Sequence, residues 1–149
     1  LYGFEPYASG SGSSGEVKAD VGIVLNEIAA KGEPLDWFEL YNTSSAAVDL
    51  SGFLVADDLT DVAKRVPIPD GTLIEPGTYL QVFMDKEAWP GFALGGNEEL
   101  GIWTVNGALV DKANWASGFS GETGTYARSP DVTGNFQPGQ LPTPGAAND

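Results

Sequence analysis

Trp37-Phe38-Glu39-Leu40-Tyr41-Asn42 decides how the rest of the chain reads. Apolar and polar residues alternate through Phe38, Leu40 and Asn42, the period of a strand with one buried face. Upstream lies Val24-Leu25-Asn26-Glu27-Ile28; downstream, Asp49-Leu50-Ser51-Gly52 supplies turn chemistry before Phe53. Working outward, the pattern predicts strands at 21–29, 35–42, 47–55, 62–68, 78–84, 99–105, 108–115 and 123–127. Pro69-Asp70-Gly71 and Glu75-Pro76-Gly77 punctuate the middle. Asn106-Gly107 between two strand runs predicts a two-residue type I′ hairpin. No segment has helical periodicity. The class is all-β, and short strands with regular turns fit a sandwich.

Composition bounds the function. A chain of 149 residues with 42% hydrophobic content buries one core, so a single domain is expected. Against 21 acids stand 7 bases, a formal charge of −14. That surface repels phosphate backbones and anionic membranes, so no nucleic-acid partner is expected. No run approaches the ~18 apolar residues that span a bilayer, so no membrane insertion is expected either. The chain has no Cys and no His. This removes disulfides, Ser-His and Cys-His dyads and the usual zinc sites, and leaves redox compartment unreadable. Acid pairs are too abundant among 21 carboxylates to signal catalysis, and an enzyme is not expected.

The first twenty residues differ from the rest. Tyr2, Phe4 and Tyr7 form an aromatic arm, and Ser9 to Gly15 reads as a Gly/Ser linker. Residues 1–20 are taken as arm and linker, 21–149 as the β domain. The arm is either an appendage or a strand-like segment that adds to a sheet edge of its own or another copy. Leu1 opens without a basic, apolar leader, the form of a mature product or a fragment.

Taken in order, the segments resemble the lamin tail domain. The matching residues are Leu25-Asn26-Glu27, the run Trp37 to Asn42, Asp49 to Gly52 and the pair Asp57-Asp58. Val66 to Thr72, Pro76-Gly77, Asn106-Gly107 and Val110-Asp111 follow, then Thr125-Tyr126-Ala127-Arg128 and Thr143-Pro144-Gly145. The resemblance spans about Val21 to Asn148. It implies an immunoglobulin-like β-sandwich and a non-catalytic binding or adhesion module. That fold also occurs in bacterial secreted and surface proteins, so the resemblance implies an exported or cell-surface location and a protein or extracellular-polymer partner. The alternative is a structural subunit that self-associates through its arm.

Candidate residues fall into three groups. Glu27, Glu39 and Asn42 are polar residues in half-buried strands, expected to satisfy backbone donors, with Arg128 pairing Glu39 or Glu27. Asp57, Asp58 and Asp61, with Thr60, are the densest acids; they read either as a solvated turn or as part of a Ca2+ shell, although the spacing is not that of an EF-hand. No cofactor is required. Glu98 and Glu99, adjacent on a strand, are expected on opposite faces. Trp89, Phe92, Trp115 and Phe119 stand in or beside Gly-rich loops, either as exposed binding anchors or as lids on the sandwich ends.

Overall fold

The computed structural model describes residues 18–95, 98–115 and 124–148. The arm residues Tyr2, Phe4 and Tyr7, and Phe119, lie outside that set. Strand β1 (Ile23–Ala29) and β2 (Asp36–Asn42) are followed by β3 (Val48–Asp49), β4 (Leu54–Ala56), β5 (Val66–Pro67) and β6 (Leu73–Ile74). Then come β7 (Tyr79–Met84), β8 (Glu98–Trp103), β9 (Leu109–Trp115), β10 (Thr125–Ser129) and β11 (Asn135–Gln140). They form a five-stranded sheet, β11-β10-β1-β2-β7, a four-stranded sheet, β5-β4-β8-β9, and a short β3-β6 pair. The pairings within these sheets are antiparallel.

Phe38 and Leu40 of β2 join Leu25 and Ile28 of β1 in a core completed by Val55, Leu100 and Ile102 from the opposite sheet. The alternation of β2 is real, but its second face is buried as well. Trp37 and Glu39 are 3% and 0% exposed. Trp37 lies under Gly32, where an added Cβ would sit 2.5 Å from the indole. Glu39 lies under the C-terminal segment, whose Gly145 N–H donates to it.

A β-bulge in β1 sets which residues meet. Leu25 opposes Leu40, and the next paired residue, Glu27, opposes Glu39, which leaves Asn26 as the extra residue. Strict alternation would put Glu27 on the core face with Leu25. The bulge turns it outward and brings Ile28 inward opposite Phe38.

Several predicted elements are corrected. The expected strand 47–55 divides into β3 and β4, because Asp49 Oδ1 accepts from Ser51 N (2.9 Å) and Ser51 Oγ (2.6 Å) and closes a turn. The expected strand 62–68 begins as a 3-10 turn, Val62–Lys64, with Asp61 capping Ala63 N, before β5. At Asn106-Gly107 the loop has three residues. Gly107 N donates to Thr104 O, Thr104 N donates to Ala108 O, and of Val105, Asn106 and Gly107 only the glycine has positive φ. This is the type I turn plus left-handed glycine, the commonest three-residue hairpin, in place of type I′. Strands β6 and β11 were not expected; Pro138 and Gly139 within β11 are the composition of an edge strand and mask it in a sequence.

Candidate functional site

Two polar clusters organise the described molecule, one on each face of β1. On the inner face, Asp111 of β9 and Arg128 of β10 join the sheets. Arg128 Nη2 donates to both Asp111 oxygens at 3.2 and 3.1 Å. Asp111 Oδ2 also accepts from Leu25 N (2.9 Å), while Arg128 Nε donates to Leu25 O (2.8 Å). Together they satisfy both backbone groups of Leu25 just before the bulge. Lys18 Nζ reaches Asp111 Oδ1 at 2.7 Å, and Arg128 Nη1 donates to Gly134 O. Arg128 also lies 4.4 Å over the Phe136 ring, which stacks on Tyr126. The expected pairing of Arg128 with Glu39 or Glu27 is therefore corrected. Along β10 Tyr126 opposes core-facing Ile28, so Arg128 shares the inner face, whereas the bulge directs Glu27 outward.

On the outer face, three carboxylates each hold one residue of the C-terminal segment. Glu27 accepts from Thr143 Oγ1 (2.9 Å) and Thr143 N (3.1 Å), as well as from Thr125 Oγ1 (2.7 Å). Glu39 accepts from Gly145 N. Asp131 accepts from Asn148 N (2.8 Å), Asn26 Nδ2 (3.0 Å) and Tyr79 OH (2.6 Å). Val132, beside Asp131, has φ 67 and donates its N–H to Asn26 Oδ1. Burial pushes the Glu39 carboxyl up to about 7, with Glu27 and Asp131 adding repulsion against the Gly145 bond. Burial, then the bond to Asp131, push the Tyr79 phenol up as well. Asn42, at the end of β2, donates to Ala46 O and Ile74 O and accepts from Ser44 N and Oγ, so its whole amide is used.

The acidic loop is divided in its duties. Asp58 Oδ1 accepts from Thr60 N, Thr60 Oγ1 and Asp61 N, and the Thr60 bonds hold its carboxyl down at about 2. Asp61 caps the 3-10 turn. Asp57 lies instead beside Glu98, whose carboxyl is raised to about 7 by burial and by the nearby Asp57 carboxylate. Asp57, Asp58 and Thr60 border an open cleft of about 780 Å³ that Glu98 and Glu99 both line, with Asn114 and Trp115. Glu98 and Glu99 keep the opposite faces expected of neighbours on a strand: Glu98 pairs with Trp115 and curls back to Gly95 N–H, while Glu99 pairs with Asn114 and accepts from Leu59 N. Among the described residues no three acidic side chains converge to hold a metal ion.

The described loop aromatics, Trp89, Phe92 and Trp115, are not an exposed platform. Trp115 is 4% exposed in the core and donates its indole N–H to Gly95 O. Trp89 and Phe92 pack half-buried against the core, and Trp89 donates to Pro67 O. Of the two readings open for Trp115, exposed anchor or lid, its burial fits the second, because β9 carries it inward on the same face as Ala113. Among the described residues no helix is long and apolar enough to cross a membrane, a statement that does not bear on β-barrels.

Sequence reasoning missed Asp111, Asp131 and Asn148 as organising residues. Asp111 stands within a motif that was quoted, but its partners lie across the sandwich.

Two antiparallel sheets closed by buried polar ties define an immunoglobulin-like all-β sandwich. The sequence model of the lamin tail domain matches residues 16–125, more than half of the chain, and the chain belongs to that family. No curated protein and no solved structure matches it. The family is one of non-enzymatic immunoglobulin-like domains.

Proposed function

We propose that the chain is a non-catalytic interaction module of an exported protein, binding a protein or an extracellular polymer through its loops or an open sheet edge. The observation that carries this reading is β7. Tyr79–Met84 pairs with β2 alone among the described strands, contains no charged residue and leaves Phe83 41% exposed. An edge without Lys, Pro or a bulge accepts an extended partner segment through its free main-chain groups. Family membership supports interaction over catalysis. The occurrence of the fold in bacterial secreted and surface proteins supports export, and the net charge of −14 supports a well-solvated surface.

A second reading, a self-assembling subunit, is favoured by the way the chain enters the domain. Ala19 N donates to Leu109 O at 2.6 Å, which sets the entry beside the edge strand β9. Calcium bound near Asp57, Asp58 and Asp61 belongs to this reading. Light scattering with and without residues 1–15, in calcium and in chelator, separates the two. A monomer throughout supports the module; an oligomer that depends on the arm or on calcium replaces it with the subunit.

A further inference from the structure

The C-terminal segment is tied down in an unusual way. Pro144, Gly145, Ala146 and Ala147 are exposed, and Thr143 and Asn148 half-buried, so the segment buries little apolar surface. Its anchors are hydrogen bonds from Thr143, Gly145 and Asn148 to Glu27, Glu39 and Asp131. Asn148 Nδ2 adds bonds to Asn26 O (3.1 Å) and Arg128 O (2.8 Å). A segment without buried apolar contacts opens at low cost.

The central anchor is the weak one. Glu39 is fully buried, yet its Oε1 has no hydrogen-bond partner among the described residues. A buried carboxylate left half-satisfied is costly when charged. Its charged neighbours Glu27 and Asp131 deepen that cost. Glu27 opposes Glu39 across β1 and β2, and Asp131 faces it from the β10–β11 loop. Tyr79 of β7 approaches through its bond to Asp131, and Tyr41 of β2 packs on Tyr79. The anchoring residues Thr143, Gly145 and Asn148 carry no ionisable side chain. The side chain of Arg128, which would compensate, is committed to Asp111 on the opposite face.

We infer that residues 143–148 are a proton-controlled strap, closed over the sheet while the Glu39 carboxyl is neutral and released when that carboxyl ionises. Release needs no other trigger, because an opened strap admits water to Glu39 and relieves its desolvation, which outweighs the lost Gly145 bond, a contact that favours the charged form. The exposed surface would be a band of carboxylates and Asn26, suited to a partner rich in N–H donors. With Glu39 near 7 when closed and near its ordinary 4.5 when open, closure weakens by up to about 300-fold from acid to mildly basic pH. This inference is independent of which partner the module binds.

The test is an NMR titration from pH 5 to 9. It follows the Glu39 side-chain carboxyl carbon and the protection of the Gly145 amide relative to the core amide of Phe38. The strap predicts a Glu39 midpoint near 7 and at least a tenfold loss of relative Gly145 protection over the same interval. In Glu39→Gln that loss disappears. A Glu39 midpoint below about 5, or constant Gly145 protection in the native protein, overturns the inference even if the variant fails to fold. An equal loss in a folded Glu39→Gln overturns it too.

Discussion

Val132 and Glu39 show how single residues accept strain for the sake of a hub. A β-branched residue at φ 67 costs about 1–2 kcal/mol, and Val132 keeps that conformation because its N–H is held by Asn26 Oδ1. Glycine tolerates the angle but loses more entropy on folding. Val132→Gly is therefore expected to raise stability by about 0.5 kcal/mol, read from urea denaturation; a loss above about 1 kcal/mol would show that the Val132 side chain matters more than its backbone. Glu39 stores a different cost. Its carboxyl is raised from 4.5 to about 7, so the neutral form is favoured in the folded chain. Stability is full below about 4.5 and declines as pH climbs to about 7, by at most about 3 kcal/mol. Glu39→Gln, which carries no charge, is expected to melt higher than the native chain at pH 8 and within error of it at pH 5. Equal melting temperatures at pH 8 would remove the buried-charge account.

At the scale of elements, the β1 bulge decides the arrangement. Asn26 lets Leu25 and Ile28 both face the core while Glu27 faces Glu39. Deleting Asn26 would return strict alternation and drive Glu27 into the apolar interior. The deletion variant is expected to lack a cooperative thermal transition by circular dichroism, and a native-like transition would mean the register tolerates a slip. The sequence shows this bulge as a break in period between Leu25 and Ile28, a signal that reading β1 as one uniform strand passes over. By contrast, β2 was legible as a strand from Trp37 to Asn42, because alternation and aromatic content agree there, although the burial of its second face was not. The Asp111–Arg128 tie was not legible. Asp111 falls within the expected strand 108–115 and Arg128 one residue past the expected 123–127, but nothing local to either indicates that they face each other across the sandwich. Asp131 and Asn148 were hidden for the same reason, since an irregular loop and an extended terminal segment have no period to read. The rings of Trp89, Phe92 and Trp115 were ambiguous: glycine-rich flanks allowed either exposed anchors or lids, and only the structure shows the Trp89 and Trp115 indole N–H groups on backbone carbonyls at the margin of the core.

For the whole molecule, charge and packing oppose each other. A net charge of −14 repels itself in the compact state, and both Glu39 and Glu98 are raised to about 7, so acidification stabilises through each of these effects. Asp58, held down at about 2, opposes this only below about pH 4, where its loop bonds are lost. The melting temperature is expected to peak at about pH 4–5, to fall toward pH 8, and to recover at pH 8 when salt screens the surface. A peak at or above pH 7 would contradict this balance. The central claim is that the buried Asp111 carboxylate of this lamin tail domain is a tie that closes the fold, whereas Glu39 burdens it. A carboxylate retained for chemistry burdens stability, and replacing it leaves the fold level or firmer. A tie does the reverse, because its partners are stranded. Urea denaturation of Asp111→Ala against the native chain at pH 6 separates the two. Loss of the partner of Arg128 and Leu25 N is predicted to cost about 3–5 kcal/mol; an unchanged or raised midpoint would contradict the account.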